Sequence, residues 1–132
     1  MVSIPANVID LLRRPDTVKV MSTSSKDGMP HTIVCGSIFV PDAGTLGVGE
    51  VIMKVSSANM RENNKVSFLV LSGAEAYQID AVVRERQTEG AILDELNVKL
   101  ERIHLAASAV WLFDVMAVTV ASASHEAGKR IA

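Results

Sequence analysis

The segment from Lys54 to Leu71, KVSSANMRENNKVSFLVL, carries the residues best suited to hold an anion. It reads as a turn, a short polar helix and a strand. Ser56 and Ser57 are residue types that cap helices, so they predict that the helix begins there. A helix N-terminus has unpaired N–H groups and a partial positive charge, which suits a phosphate. With Lys54 and Asn59 beside it, this start is either a small phosphate cup or an ordinary capped helix.

Motifs of acid–base or nucleophilic enzymes are missing. The sequence contains no GxSxG, HExxH or GxGxxG, and no carboxylate pair at a meaningful spacing. Cys35 is the single cysteine, and it lies in an apolar run where an inert buried thiol is the usual state. His104 and His125 are isolated, so the sequence predicts no metal site. His31 opens a strand and is either a surface residue or a ligand contact.

Composition predicts one globular domain over residues 1–132, since 48% of the residues are apolar and 21% are charged. The formal charge of −2 argues against a nucleic-acid binder. The N-terminus lacks the arrangement of basic and apolar residues that is typical of a signal peptide. The longest apolar region, residues 105–121, is interrupted by polar residues and falls short of the roughly 20 residues that span a bilayer. With one cysteine, the chain is expected in a reducing cytoplasm, away from membranes.

The pattern of apolar residues predicts a mainly β fold with inserted helices. Besides the short polar helix, two helices are expected, one over residues 5–14 and one of about four turns that Thr88 caps. Asp27-Gly28 and Ser72-Gly73 predict hairpin turns. Residues 31–41 are nearly continuous in apolar types, so they predict one strand buried on both sides. Six antiparallel strands in a closed or split barrel follow, over residues 17–23, 31–41, 45–51, 66–71, 75–86 and 110–121.

Three motifs stand in a fixed order along nearly the whole chain. They are D-G-x-P-H entering the second strand, K-x-S-S-x-N-x-R-x-N-x-x-V-S at the central helix, and A-G-K-R-I near the C-terminus. In this order and spacing the sequence resembles the small FMN-binding split β-barrel proteins related to pyridoxamine 5'-phosphate oxidase. The resemblance implies an FMN cofactor at a homodimer interface, with each site built from both chains.

The resemblance also implies which residues meet the cofactor. The second strand would lie along the isoalloxazine ring, and the cup at the central helix would hold the phosphate. Trp111 would either flank the flavin across the dimer interface or serve as an ordinary core anchor. The expected cofactor-binding residues are Thr32, Ile33, Val34, Cys35, Lys54, Ser56, Ser57, Asn59 and Trp111.

The function implied by the resemblance is an FMN-dependent oxidoreductase of unknown substrate. A nicotinamide or another reduced donor would pass a hydride to the flavin, which carries the chemistry. A non-enzymatic electron carrier or flavin reservoir is an alternative, as is a split barrel that binds F420, haem or no cofactor. Pyridoxamine 5'-phosphate oxidase activity itself is not expected, because the tail offers only Lys129 and Arg130 in place of that enzyme's C-terminal Arg/His signature.

Overall fold

The computed structural model describes all 132 residues of the chain. Three helices and seven strands follow one another along the sequence. In chain order they are α1 (Ala6–Arg13), β1 (Val18–Ser24), β2 (Pro30–Val34), β3 (Ile38–Asp42), β4 (Thr45–Gly49), α2 (Lys54–Glu62), β5 (Lys65–Ser72), β6 (Glu75–Gln87), α3 (Ala91–Glu101) and β7 (Val110–Val120).

All seven strands belong to one antiparallel sheet, in the order β2-β1-β5-β6-β7-β4-β3. The two edge strands, β2 and β3, are joined by residues 35–37 alone. A link this short spans only about 10 Å. The sheet must therefore roll up until its two edges approach each other, which gives a split barrel. The prediction of a mainly β antiparallel split barrel is confirmed.

The predicted strand over residues 31–41 is wrong as a single element, and this raises the strand count from six to seven. The chain turns at Gly36 and Ser37, where the Ser37 hydroxyl donates to the Gly49 carbonyl at 2.9 Å. The apolar run thus supplies both sheet edges. It is not buried on both sides, because β2 is an edge strand with an uncovered outer face and Val34 is 77% exposed.

Turn residues predicted the hairpins correctly. Gly28 and Gly73 both adopt positive φ, +88° and +58°, in the turns that join β1 to β2 and β5 to β6. The predicted first helix is confirmed as α1. The second long helix begins at Ala91 rather than near Thr88, because Gly90 at φ +116° turns the chain just before it, and its 11 residues make about three turns.

The main core fills the barrel with aliphatic side chains around one aromatic pair. The rings of Phe68 and Phe113 meet edge to face at 5.3 Å between centroids. Helix α1 closes one end by burying Val8, Leu11 and Leu12. None of the three helices combines the length and apolar character that crossing a membrane requires.

A second, smaller core lies under α3, on the other face of β4. Glycine makes it possible, because a side chain at either of two β4 positions would strike a neighbour. A methyl group on Gly47 would overlap three ring atoms of Phe39, and one on Gly49 would lie 2.6 Å from the Cδ2 of Leu96. Phe39 and Leu96 therefore pack directly onto the β4 backbone.

Candidate functional site

A groove of about 700 Å³ runs between the inner side of edge strand β2 and the start of α2. We call it the α2 groove. Its volume lies in the range of small-molecule sites. Its walls combine apolar and charged side chains, and its lining residues are His31, Ile33, Glu50, Ile52, Met53, Lys54, Val55, Ser57, Ala58, Arg61 and Ser108.

Helix α2 begins at Lys54, so the prediction that Ser56 and Ser57 cap it is wrong. Met53 occupies the N-cap position without a side-chain cap, and its side chain is buried. Burial of Met53 therefore sets the helix start, ahead of the capping preference of the serines. The first backbone N–H to find a helical acceptor is that of Ser57, which donates to the Met53 carbonyl at 3.0 Å. The N–H groups of the three preceding residues, 54–56, have no acceptor in the chain.

Ile52, at the mouth of the α2 groove, has a strained backbone. Its φ is +49°, a conformation that a β-branched residue rarely adopts, and its side chain is 94% exposed. Such a residue costs about 1–3 kcal/mol and tends to occur at ligand sites. The strain turns the chain sharply into α2 and so positions the open helix N-terminus at the groove.

Two cations of the α2 groove are free to meet a ligand. Lys54 and Arg61 line it, and neither takes part in an ion pair within the chain. Glu50 is the one carboxylate in the lining, and it is paired with Arg86. With the open N–H groups of α2, the groove therefore favours an anion.

Glu50 is the centre of the hydrogen-bond network behind the groove. Its Oε1 accepts from Ser57 Oγ at 2.7 Å and from Trp111 Nε1 at 2.9 Å. Its Oε2 accepts from Ser108 Oγ and Arg86 Nη2, each at 2.8 Å. The pKa of Glu50 is held far below its ordinary value, chiefly by the Arg86 guanidinium and then by the other donors. The network therefore contains a permanent carboxylate at neutral pH.

The sequence patterns did not reveal the roles of Glu50, Ser108, Arg84 and Arg86. Arg86 pairs with Glu50 and lies 5.7 Å from the centroid of the Trp111 ring. Arg84 pairs with Asp114 on the neighbouring strand β7. These partners come together only through the sheet register, so no local pattern in the sequence could have revealed them.

The four residues predicted to lie along the isoalloxazine ring are divided between β2 and the turn after it. Ile33 faces the α2 groove, whereas Thr32 and Val34 are exposed on the outer face. Cys35 follows the strand, is buried, and donates its N–H to the Lys19 carbonyl at 2.8 Å. Because hydrogen bonds alternate along an antiparallel pair, the free backbone groups at this edge are those of Thr32 and Val34. Burial also raises the pKa of the Cys35 thiol, which keeps it protonated.

The residues predicted to bind the phosphate also fall into two groups, some lining the groove and some buried. Lys54 and Ser57 line the α2 groove, but the Ser57 proton is directed to Glu50. Asn59 is buried and donates to Thr23 Oγ1 at 3.1 Å. Ser56 is fully buried, and its Oγ has no hydrogen-bond partner in the chain. An unsatisfied hydroxyl of this kind calls for a missing partner.

Trp111 is 3% exposed and packs in the main core, and it is not part of the groove lining. Of the nine residues expected to bind a cofactor, the structure therefore brings Ile33, Lys54 and Ser57 together at one groove. Around them it adds His31, Arg61 and the Glu50 network.

A comparison with known families identifies the family to which the chain belongs. The family profile described as "Pyridoxamine 5'-phosphate oxidase" matches residues 4–126. The chain belongs to this family. No curated protein matches the sequence.

Solved structures of family-like fold superpose on almost the whole chain. HupZ from Group A Streptococcus is 20% identical, with 95% of this chain and 99% of that chain covered and a TM-score of 0.80. An FMN-binding protein from Syntrophomonas wolfei subsp. wolfei is 15% identical, with 81% and 78% covered and a TM-score of 0.74. An F420 reductase is 18% identical, with 88% and 98% covered and a TM-score of 0.68. At these identities the likeness shows a shared fold.

The Glu50 network predicts a specific acid sensitivity. The pKa of Glu50 is depressed in the folded protein, so its stabilising contribution is present above its ordinary pKa of 4.5 and is lost as the pH falls below that value. In Glu50→Gln, the free energy of unfolding should fall less steeply than in the wild type between about pH 5 and pH 3. Chemical denaturation at a series of pH values measures the slope.

Glu126→Gln is the matched control, because Glu126 is also paired with a cation but its side chain is 63% exposed. Its slope should equal that of the wild type. A Glu50→Gln slope as steep as that of the wild type would contradict the role given to the network.

Proposed function

We propose that this chain is an FMN-binding flavoprotein whose cofactor phosphate sits at the start of α2. The observation that carries the proposal is the open, cationic helix N-terminus in the α2 groove. It offers the unpaired N–H groups of residues 54–56 together with Lys54, and Arg61 in the last turn of α2 adds a second unpaired cation to the groove lining. Membership of the pyridoxamine 5'-phosphate oxidase family, and the FMN-binding protein that shares the fold, support this choice of cofactor.

The residues of the groove fit an anionic cofactor. Lys54 and Arg61 supply charge-assisted hydrogen bonds, and the helix N-terminus adds oriented N–H groups. Glu50 would repel a phosphate if it were alone, but its pairing with Arg86 neutralises it. Ser56, with its unpartnered Oγ, is the further polar group beneath this turn. Ile33 would supply an apolar contact to the ring, and the free edge of β2 would supply hydrogen bonds.

Bound FMN would supply two-electron chemistry, with a nicotinamide or another reduced compound as donor. The residues of this chain would bind, orient and shield the ring, since the groove contains no acid–base pair. We therefore assign the protein as an oxidoreductase of this family, with a flavin carrier as the alternative.

Steady-state turnover separates an enzyme from a carrier. The FMN-loaded protein should oxidise NADH or NADPH in the presence of added acceptors, measured as loss of nicotinamide absorbance. Reduction of the bound flavin by dithionite without turnover across a broad panel of donors and acceptors would assign the protein as a carrier.

The role of Lys54 is tested by comparing FMN with riboflavin, which lacks the phosphate. Lys54→Ala should weaken FMN binding about tenfold, as expected for one charge-assisted contact, and leave riboflavin binding unchanged. Quenching of flavin fluorescence measures both affinities in the same titration.

Lys65→Ala is the matched control, because Lys65 is an exposed cation at the start of β5 outside the groove. It should bind both ligands as the wild type does. An equal loss of FMN and riboflavin affinity in Lys54→Ala, or no loss of either, would place the phosphate elsewhere.

The outer face of β2, β1 and β5 supports a homodimer with the cofactor beside the interface. Its apolar side chains are neighbours across the strands: Val34 lies opposite Val20, Val20 opposite Leu69, and Val18 opposite Leu71. Val18 is 47% exposed and Val34 is 77% exposed. Contiguous exposed apolar surface of this kind marks protein interfaces. We propose that a second copy of the chain covers it.

A charge on this face should separate the copies. Light scattering should give twice the 14.1 kDa chain mass for the wild type and a single chain mass for Val34→Asp, because a buried unpaired carboxylate is costly. Val98→Asp, at another exposed valine, on α3, should remain dimeric. A monomeric wild type, or a dimeric Val34→Asp, would contradict this interface.

A further inference from the structure

A second cavity lies on another side of the barrel, between α3 and the β3 edge of the sheet. We call it the α3 cleft. Its volume is about 860 Å³, and it shares no lining residue with the α2 groove. The lining residues are Leu12, Arg13, Lys19, Gly36, Ser37, Ile38, Phe39, Val40, Pro41, Ile92, Glu95, Leu96, Lys99, Leu100 and Ile103.

The apolar lining of the α3 cleft is almost wholly aliphatic. Phe39 is the one aromatic residue, and its ring is packed over the bare backbone of Gly47. Leu96 is packed over Gly49 in the same way. The cleft therefore has an apolar lining that is mostly aliphatic and is held in place by packing on the β4 backbone. This surface suits a flexible aliphatic chain.

The charged lining of the α3 cleft favours a single anionic head group. Arg13, Lys19 and Lys99 face one carboxylate, Glu95, and none of these four residues takes part in an ion pair within the chain. The cations come from three separate elements, α1, β1 and α3. The cleft therefore carries an excess of positive charge that no residue of the chain neutralises.

Lys19 is the cation whose placement is least expected for a surface residue. It occupies a core-facing position of β1, two residues before the fully buried Met21 and opposite the fully buried Val70. Its side chain is therefore directed along the inner face of the sheet toward the cleft, and the residue is half-buried. A half-buried lysine that forms no ion pair and lines a mostly aliphatic cleft has the chemistry of a carboxylate receptor.

We propose that the α3 cleft binds an aliphatic carboxylate, with its chain along the apolar lining that includes Phe39, Leu96 and Ile103 and its carboxylate at Lys19. The site is separate from the flavin site and does not depend on the proposed flavin function. Its volume lies within the range of small-ligand pockets, so a single fatty-acid-like molecule is the occupant that matches both its size and its charge.

Titration calorimetry with dodecanoate, below its micellar concentration, tests the site. The wild type should bind one molecule per chain, and dodecan-1-ol should bind about tenfold more weakly because it lacks the charge. Lys19→Met keeps the apolar stem and should weaken dodecanoate about tenfold, whereas Lys65→Met should not. Binding should persist in saturating FMN.

A second pair of variants, both at exposed positions, tests the apolar lining of the cleft. Ile103 and Val98 are exposed to the same extent, 62% and 61%, but only Ile103 lines the cleft. Ile103→Glu should abolish dodecanoate binding and Val98→Glu should preserve it. The proposal is overturned if dodecanoate does not saturate, if FMN displaces it, or if all four variants bind it as the wild type does.

Discussion

The ionised carboxylate of Glu50 is the interaction on which the rest of the site depends. It lies just after β4 and accepts hydrogen bonds from α2, β6, β7 and the loop that precedes β7. Its side chain is only 14% exposed, so it needs this full set of donors to remain charged. Four separate parts of the chain are thereby fixed relative to one another at a single point behind the groove.

This network also explains how a carboxylate can stand beside the proposed anion site. Arg86 compensates the charge of Glu50 in the groove lining and lies near the Trp111 ring, so the carboxylate adds little net negative charge to the groove. Lys54 and Arg61 remain unpaired in the groove lining. The Ser57 hydroxyl lines the groove, but its proton is already donated to Glu50. At the proposed site, a ligand anion would meet ammonium, guanidinium and backbone N–H groups in preference to serine.

Local chemistry predicted the elements of the fold better than their positions in the sheet. The Asp27-Gly28 turn and the apolar face of α1 were read correctly, because short-range rules govern hairpins and amphipathic helices. The apolar run over residues 31–41 was wrongly predicted as one buried strand, since apolar character cannot distinguish a buried central strand from an edge strand whose outer face is uncovered. The start of α2 was predicted too late in the chain, because burial of Met53 outweighed the capping preference of Ser56 and Ser57.

Among the residues that line the α2 groove, the sequence pointed only to those that belong to a recognisable motif or to the family resemblance. Lys54 and Ser57 follow from the helix segment, and Ile33 follows from the family resemblance. Glu50 could not be found in this way, because its partners Arg86 and Trp111 lie 36 and 61 residues further along the chain. They meet because the register of β6 on β7 places Arg86 opposite Trp111. Such a cluster is a property of the sheet and leaves no periodic signal in the sequence.

A crystal structure of the protein grown with FMN tests the central claim most directly. The account predicts electron density for the phosphate within hydrogen-bond distance of Lys54 Nζ and the backbone N–H of Val55, with Glu50 still bonded to Arg86. A flavin whose phosphate lies away from α2, with Lys54 and Arg61 turned to solvent, would contradict it.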